Sequence, residues 1–494
     1  MIRSILFAGL VLMNTTLIAA ETTETGASAA WASKDPAVRR ALTDLDKGNF
    51  TRAEQMLATT QPSSNPQVTR EREEALDLIA RTRQEYNLDD AALLAKIQRR
   101  IPGATLDDIT KWREASQLGY RIIDGQIRYF RSEPQNLFIF SVDARKREKQ
   151  TKKEADWKLA DHLKQIIDEA ESSGKTEVQP VQHRIEFTIT IPPDAPGMKK
   201  GAMVRMWLPY PQEYRQQKNV KLISSTPSDP TIAPAATEGN PVQNAQRAVY
   251  FEQRVEDPSK PIVANINFEY TCYAYYPRLD EKLVQPLPAD WNNAYLDERL
   301  PHIKFSPEIV AQTKQIIGEE TNPLTKARKI FHWVSENIPW NSELEYCVVP
   351  SLAEHGFKNR RGDCGVQGTL FITMCRIAGV PARWQSGWET KPSKWTMHDW
   401  SEIYIAPWGW LPADASYGVQ KSDDPKIRDF YLGHQDSHRL IVNLDYGRPL
   451  NPPKESLRSE PADFQRGEVE IDGKNLYFGQ WDYNIRVWCD GKEI

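Results

Sequence analysis

Residues 362–365 have the sequence Gly362-Asp363-Cys364-Gly365, and they directly precede a segment with helical character. The helical pattern of residues 369–378 is stopped by Gly379-Val380-Pro381, a glycine followed by a proline. Cys364 is therefore predicted in the first turn of a helix. Unpaired backbone amides and the positive end of the helix dipole meet there, and both favour the reactive thiolate. The same amides are suited to hold the oxyanion of a tetrahedral intermediate.

Two further candidate residues lie on predicted strands downstream. His398 begins a strand-like run that ends at Tyr404, and the next run extends from Trp410 to Asp414. A thiol at a helix start, an imidazole on one strand and a carboxylate on its neighbour are the parts of a cysteine nucleophile with its base and orienting group. The pattern therefore indicates a candidate catalytic site.

The connection between these two strands decides whether the side chains can meet. If residues 405–409 form a five-residue hairpin loop, His398 and Asp414 become diagonal neighbours on one face of the sheet. A loop of even length would move Asp414 to the other face. Glu402 shares the His398 face and is a second candidate for the orienting group, whereas Asp399 points the opposite way.

Each of these residues also has an ordinary structural interpretation when taken singly. A cysteine before a helix is usually structural, a histidine on a strand is usually a satisfied core or surface group, and Asp414 could be a turn carboxylate. The three residues nevertheless agree in order, spacing and local setting. That agreement favours a catalytic site over three separate structural roles.

Four separated blocks resemble the core motifs of the transglutaminase-like superfamily, over roughly residues 300 to 420. The blocks are Gly362-Asp363-Cys364-Gly365, residues 376–383 (RIAGVPAR), residues 398–404 (HDWSEIY) and residues 409–414 (GWLPAD). Members of this superfamily share a papain-type fold, in which a helix that carries cysteine packs on an antiparallel sheet that carries histidine and aspartate. The resemblance implies that Cys364 is the nucleophile, His398 the base and Asp414 the orienter.

Members of the superfamily often place an additional oxyanion donor upstream of the cysteine. Trp340 is the candidate for that role through its indole N–H, with a packed structural aromatic as the alternative. The resemblance implies acyl transfer from peptide or glutamine amides through a cysteine thioester. A hydrolytic cysteine peptidase or amidase is the favoured interpretation. A cross-linking transglutaminase and a non-catalytic binding scaffold are the alternatives. No cofactor or metal is expected, and the expected partner is a protein or peptide substrate.

The rest of the chain predicts an α+β protein of several domains, because 494 residues are too many for one core. Ile185, Phe187, Ile189 and Ile191 alternate with polar residues, which indicates a strand and the start of a β-sandwich. The predicted segments are a signal peptide (1–20), a helical region (21–175), the β-sandwich (180–280), the catalytic core (285–450) and C-terminal strands packing on the core (451–494).

The N-terminus has the pattern of a secretory signal. Arg3 supplies the positive charge, residues 5–13 are apolar, and Ile18-Ala19-Ala20 is a cleavage site before Glu21. The apolar run is too short to span a bilayer, and no later segment is apolar enough to do so. We therefore expect an exported protein, periplasmic or extracellular.

Residues 89–126 suggest a helix–turn–helix with a wing. The formal net charge of −4 argues against nucleic-acid binding, so this region is predicted to be structural or to bind a protein partner. The odd number of cysteines leaves at least one free thiol. If that thiol is Cys364, the others could form up to two bridges whose pairing the sequence does not reveal. They are Cys272, Cys347, Cys375 and Cys489.

Overall fold

The computed structural model describes residues 28–149, 157–237, 244–291 and 295–494. The predicted signal peptide lies outside these residues. Within them, no helix combines the length and the apolar character that a bilayer crossing requires. The described residues form an α+β protein of several packed units, as the sequence predicted.

The N-terminal unit is helical with one β-hairpin. Its elements are α1 (Ser28–Ala32), α2 (Pro36–Asp46), α3 (Phe50–Thr59), α4 (Pro66–Glu85), α5 (Asp90–Gln98), α6 (Leu106–Glu114), β1 (Tyr120–Ile123), β2 (Gln126–Tyr129), α7 (Glu133–Phe140) and α8 (Val142–Arg147). Asp35 and Asn65 cap α2 and α4, and a proline follows each cap. The predicted helix–turn–helix and wing correspond to α5, α6 and the β1–β2 hairpin.

The next helix, α9 (Leu159–Ser173), was expected to belong to the helical region but packs elsewhere. Its buried Leu163, Ile166 and Ile167 join the hydrophobic cluster that contains Phe331 and Phe371 of the predicted catalytic core. Amphipathic periodicity showed which face of α9 is apolar, but not which unit would cover that face. The helical unit that packs on itself therefore ends near residue 149 instead of residue 175.

The β-sandwich begins with long antiparallel strands. They are β3 (Glu177–Ile191), β4 (Met203–Pro209), β5 (Gln217–Thr226), β6 (Thr231–Ile232), β7 (Ala248–Arg254) and β8 (Ile262–Tyr275). One sheet pairs β3 with β8 and β8 with β5, and the other pairs β4 with β7 and β7 with β6. Ile185, Phe187 and Ile189 of β3 are fully buried, as their alternation predicted.

The core combines helices with a four-stranded antiparallel sheet. Its elements are α10 (Pro307–Ile317), α11 (Pro323–Asn337), α12 (Leu352–Asn359), α13 (Cys364–Ile377), β9 (Ala382–Lys391), β10 (Lys394–Ile405), β11 (Gly409–Ala413), α14 (Pro425–Arg428) and β12 (Arg439–Asn443). The strand order is β11-β10-β9-β12. After α13, Gly379 has a φ of +77°, which ends the helix as predicted.

The β10–β11 hairpin has the predicted register, although its loop is shorter. Tyr404 pairs with Trp410, and pairing extends by one further pair, Ile405 with Gly409. The loop therefore contains residues 406–408, three residues instead of five. Because three is also odd, the two strands present the same side chains to each face as expected.

The C-terminal strands are β13 (Glu468–Ile471), β14 (Lys474–Leu476), β15 (Asp482–Cys489) and β16 (Lys492–Glu493). They were predicted to pack on the core, but they pair with the sandwich: β13 with β4 and β15 with β3. Their apolar side chains, among them Val469 and Val487, fill the sandwich interior. Alternation identified these residues as strands but could not identify their pairing partners.

Candidate active site

Cys364 is the first residue of α13, and Asp363 is the N-cap. The Asp363 Oδ1 atom accepts the Val366 backbone N–H at 3.1 Å, which fixes the start of the helix. All five cysteines are free thiols, so neither of the two disulfide bridges that the odd count allowed is formed. Four of them are buried, whereas Cys364 is partly exposed. Cys364 is therefore the most solvent-accessible of the five cysteine residues.

The Cys364 thiol donates a hydrogen bond to Asp399 Oδ2 at 3.5 Å. Removal of the sulfur from water, followed by the charges of Asp399 and Asp363, raises the pKa of Cys364 well above its usual range. The expectation that the helix start favours a thiolate is therefore wrong for this resting arrangement. The N-terminal amides are outweighed by burial and by two carboxyl groups, of which Asp363 is next to Cys364 in the sequence and Asp399 is brought there by folding.

His398 and Asp414 meet as predicted. His398 Nε2 lies 2.7 Å from Asp414 Oδ2, and the buried guanidinium of Arg439 approaches the same oxygen at 3.0 Å. Burial alone would raise the pKa of Asp414, but His398 and Arg439 outweigh burial and hold it below the usual range. An ionised Asp414 accepts the proton on Nε2, which leaves His398 Nδ1 with the lone pair of a base.

The structure thus brings together two of the three predicted groups directly. Among the described residues, Cys364 makes no hydrogen bond to His398, because its hydrogen bond goes to the next residue, Asp399. Successive side chains of a strand point to opposite faces, so Asp399 and His398 project from opposite sides of β10. Gly368 of α13 accepts a hydrogen bond from Ser401, which places the helix on the Asp399 side.

The family of this site follows from a sequence comparison. Residues 310–415 match the family model described as "Transglutaminase-like superfamily". The chain contains a transglutaminase-like domain. The matched range includes Cys364, His398 and Asp414, and it begins in α10 and ends just after β11.

Relatives of the chain outside the family model are distant. An uncharacterised protein of Haemophilus influenzae is 28% identical over 212 residues, which covers 36% of this chain and 57% of that protein. This chain therefore spans little more than half the length of that relative. A proposed cysteine protease from Cytophaga hutchinsonii has 16% identity and a TM-score of 0.41, over 63% of this chain and 91% of that chain. The periplasmic domain of TgpA from Pseudomonas aeruginosa has 15% identity and a TM-score of 0.25, over 51% of this chain and 91% of that chain.

Within the transglutaminase-like domain, Glu402 has other partners than the proposed base. Its carboxylate contacts Arg383 Nε at 2.8 Å and Arg215 Nη2 at 2.6 Å, and Tyr214 donates a third hydrogen bond to it. These contacts anchor the far end of β10 to the sandwich. Glu402 is therefore a structural carboxylate in this arrangement instead of a second orienter for His398.

Trp340 lies next to the cysteine loop. Asn341 N–H donates to Gly362 O at 3.3 Å, and Gly362 N–H donates to Pro339 O at 3.2 Å, so the residues on both sides of Trp340 are paired with the loop before Cys364. The Trp340 side chain is 47% exposed, which is unusual for a packed structural tryptophan. Its assignment as an oxyanion donor stays a prediction.

Three residues of the site were not predicted from the sequence. Arg439 binds Asp414, whereas Tyr346 and Gln465 bind Asp399. They lie outside the four motif blocks, and chain folding alone brings them to the site. The only sequence feature that could have identified them is their polarity within otherwise buried segments.

Proposed function

We propose that the transglutaminase-like domain transfers acyl groups from peptide or glutamine amides to water, as a cysteine peptidase or amidase with Cys364 as nucleophile. The observation that carries the proposal is the 2.7 Å hydrogen bond from His398 Nε2 to Asp414. It leaves Nδ1 as a base on the same strand that the Cys364 helix packs against.

The reaction requires the thiol to leave Asp399 and to reach His398, which projects from the opposite side of β10 in this arrangement. The Cys364 proton passes to His398 Nδ1, and the sulfur attacks the carbonyl carbon of the amide. Backbone N–H groups in the first turn of α13, which have no partner inside the helix, hold the negative oxygen of the tetrahedral intermediate. The imidazolium then protonates the leaving amine as the C–N bond breaks. Water, deprotonated by His398, hydrolyses the thioester to a carboxylic acid and the free thiol.

Export of the protein is part of the proposal. It rests on the N-terminal sequence pattern with Arg3, the apolar stretch and the alanines before Glu21. An exported hydrolase would act on peptides or proteins of the periplasm or the exterior. N-terminal sequencing of the protein recovered from the periplasm or the medium should begin at Glu21, and a mature chain that begins at Met1 contradicts export by this route.

The test of the reaction is product analysis with a peptide library in the presence of a primary amine. We expect free carboxylic acids as the main products with the wild-type protein and none with Cys364→Ala. A majority of amine-linked products supports the cross-linking transglutaminase instead. Turnover that survives Cys364→Ala contradicts acyl transfer by this thiol. Cys375→Ala, at a buried thiol on the same helix, is the matched control.

A non-catalytic binding scaffold is the second candidate. The observation that favours it is the resting thiol, which is bonded to Asp399 and not to His398. A peptidyl chloromethyl ketone separates the two functions because it alkylates a cysteine that a neighbouring base activates. An enzyme should lose most of its labelling in His398→Ala. Equal labelling rates in the wild type and His398→Ala favour the scaffold.

A further inference from the structure

Two carboxyl groups and one phenol meet beside Cys364. The Tyr346 hydroxyl lies 3.0 Å from Asp363 Oδ2 and 2.9 Å from Asp399 Oδ2. A hydroxyl has one proton and can donate it to only one of these oxygens. The second close contact is a hydrogen bond only if the other carboxyl group carries a proton and donates it to Tyr346. The geometry therefore favours one shared proton for the two carboxyl groups.

The other contacts indicate how that proton is shared. Asp399 Oδ2 also accepts the Cys364 thiol at 3.5 Å, and Asp399 Oδ1 accepts the Gln465 amide at 2.7 Å. Three donors around Asp399 suit an ionised carboxylate, with the proton then on Asp363. Transfer through the Tyr346 hydroxyl gives the reverse arrangement. The two carboxyl groups consequently titrate as a pair.

The electrostatics of the site agree with a shared proton. Burial, followed by the charge of Glu343, raises the pKa of Asp363 to about 7. Burial, followed by the charge of Asp363, raises the pKa of Asp399 well above its usual range. In both cases a neighbouring carboxyl group adds to the cost of ionising a buried acid: Glu343 for Asp363, and Asp363 for Asp399.

We infer that Asp399 is a positioning residue that, with Tyr346 and Asp363, forms a proton-sharing unit and holds Cys364 as a neutral thiol until His398 takes its proton. This inference rests on the proposed function of Cys364. The unit lies on the opposite side of β10 from His398, so the thiol has to leave Asp399 before His398 can take its proton. The charge that the unit carries beside the sulfur sets the pH at which the thiol reacts.

Several charged or titratable groups surround this unit on every packed element. They are Cys364 itself on α13, Glu343 and Glu345 on the segment before α12, His355 on α12, His398 and Asp414 on the core sheet, and Glu460, Asp463 and Arg466 on the segment that leads to β13. The carboxyl groups outnumber the cations nearby. Loss of the shared proton therefore adds negative charge to a site that is already acidic.

The direction of the pH effect follows from these charges. While the pair keeps its shared proton, it carries one negative charge beside the sulfur. When the pH rises far enough to remove that proton, a second charge appears and opposes ionisation of Cys364. Replacing Asp399 by the neutral, isosteric asparagine removes one of the two charges. The pKa of Cys364 should then fall.

The test is the rate of Cys364 alkylation by iodoacetamide as a function of pH, followed by mass spectrometry of the modified peptide. At about pH 7.5, Asp399→Asn should be alkylated about tenfold faster than the wild type, since one pKa unit is a tenfold change in thiolate fraction. The acidic limb of peptide hydrolysis should move to lower pH by the same amount. Asp194→Asn, which removes an exposed carboxylate on the sandwich, should leave both profiles unchanged.

A second measurement detects the shared proton directly. Infrared spectra at about pH 6 should show a protonated-carboxyl band that is lost in both Asp399→Asn and Asp363→Asn but kept in Asp194→Asn. The Asp363→Asn variant would still have a capped α13, because asparagine is as good a cap as aspartate. Thermal unfolding confirms that each variant is folded. A folded Asp399→Asn with wild-type or slower alkylation, or a band that persists in both variants, overturns the inference.

The proposed function and this inference fail in different experiments. If Cys364→Ala keeps full peptide hydrolysis, the proposed nucleophile is wrong, whatever the alkylation profiles show. If Cys364→Ala is inactive but Asp399→Asn leaves the pH profiles unchanged, only the proton-sharing unit is wrong.

Discussion

One carboxylate oxygen of Asp414 has two partners. Oδ2 contacts His398 Nε2 at 2.7 Å and Arg439 Nη1 at 3.0 Å, and both partners are buried. The His398 contact fixes which ring nitrogen is the base, and the Arg439 contact keeps Asp414 ionised. Arg439 also binds Asp436, so the two carboxylates together neutralise a cation with no access to water. The proposed catalysis and the stability of the fold therefore depend on the same atom.

Asp414→Asn should lower both the rate of peptide hydrolysis and the stability of the protein. Peptide hydrolysis should fall by about 10²–10⁴-fold, since an asparagine no longer fixes the tautomer in which His398 Nδ1 is the base. The free energy of unfolding should fall by about 3–5 kcal/mol, because Arg439 keeps a single buried partner. Hydrolysis assays and urea unfolding check these values. Retained stability in the variant would mean that Asp436 alone is enough for Arg439.

The stability difference should also depend on pH. The pKa of Asp414 is depressed in the folded protein, so its stabilisation is complete above the unfolded value of about 3.9. It is lost as the pH falls through the lower folded value. Wild type and Asp414→Asn should therefore differ most near neutral pH and converge in strong acid. Urea unfolding at several pH values measures the difference, and a constant gap across the acid range contradicts the linkage.

Trp340→Phe removes the indole N–H and keeps an aromatic ring at this position. If Trp340 is an oxyanion donor, kcat should fall by about 10²–10³-fold with little change in KM, since the donor acts on charge that develops only in the transition state. Stability should change little, because the side chain is 47% exposed. Steady-state kinetics provide the measurement. Wild-type kcat in Trp340→Phe would mean that Trp340 is an ordinary surface aromatic residue and not an oxyanion donor.

At the residue scale, the sequence predicted the pairs that depend on spacing within one hairpin. His398 and Asp414 met because an odd loop keeps both on one face of the sheet. The contact between Cys364 and Asp399 was not predictable in the same way. Alternation correctly predicted that Asp399 and His398 point to opposite faces. Which face α13 covers depends on tertiary packing, and so does the contact of Gln465 with Asp399.

At the scale of elements, the start of α13 packs closely against Tyr346 and Trp384 at Gly365. A Cβ atom at this glycine would overlap the Tyr346 hydroxyl and lie 2.8 Å from Trp384. The close approach is what allows Tyr346 to reach both Asp363 and Asp399. The glycine therefore serves the packing of the helix start, since alanine would favour the helix itself.

Gly365→Ala should thus destabilise the protein although alanine is the better helix former. We expect a loss of about 1–3 kcal/mol from overpacking, together with displacement of Tyr346 and altered reactivity of Cys364. Urea unfolding and the iodoacetamide profile check the two effects. Gly103→Ala is the matched control, because no atom lies within 4 Å of a Cβ there. A stabilised Gly365→Ala variant would show that Tyr346 can move aside at little cost in free energy.

Sequence patterns predicted elements better than their partners. The C-terminal residues were correctly predicted to form strands, and Gly379 with Pro381 indicated where α13 ends. The destination of β13 and β15 in the sandwich, and of α9 on the core, depended on which exposed apolar faces remained after the rest had packed. A local pattern contains no information about that choice.

At the scale of the whole molecule, the helical unit holds the segment next to the active site. Asn136 of α7 donates to Ser342 O at 2.9 Å and accepts Ser342 N–H at 2.9 Å. Arg131 contacts Glu345 at 2.8 Å, and Arg81 of α4 donates to Ser459 O at 2.8 Å. Residues 342–346 lead from Trp340 to Tyr346, and residues 459–465 lead to Gln465. The helical unit therefore holds both segments that carry hydrogen-bond partners of Asp399.

This support was not visible in the sequence. Most of the contacts use backbone atoms of the core segment, which any residue provides, so no motif marks them. They give the helical unit a physical role without invoking nucleic acid. A protein partner that binds the outer surface of this unit would act on the active site through the same contacts.

Asn136→Ala is the sharpest test of that connection. Asn136 is almost fully buried, and its loss leaves the Ser342 N–H without its partner and the Ser342 C=O with the Asn341 amide alone, which should cost about 1–3 kcal/mol. The loosened segment should exchange amide hydrogens faster over residues 341–348, and peptide hydrolysis should fall although no reacting group is changed. Gln135→Ala is the control, because Gln135 is exposed and makes only a 3.4 Å contact to the Ser342 hydroxyl. Faster exchange with unchanged hydrolysis would mean that the helical unit stabilises the protein without tuning the site.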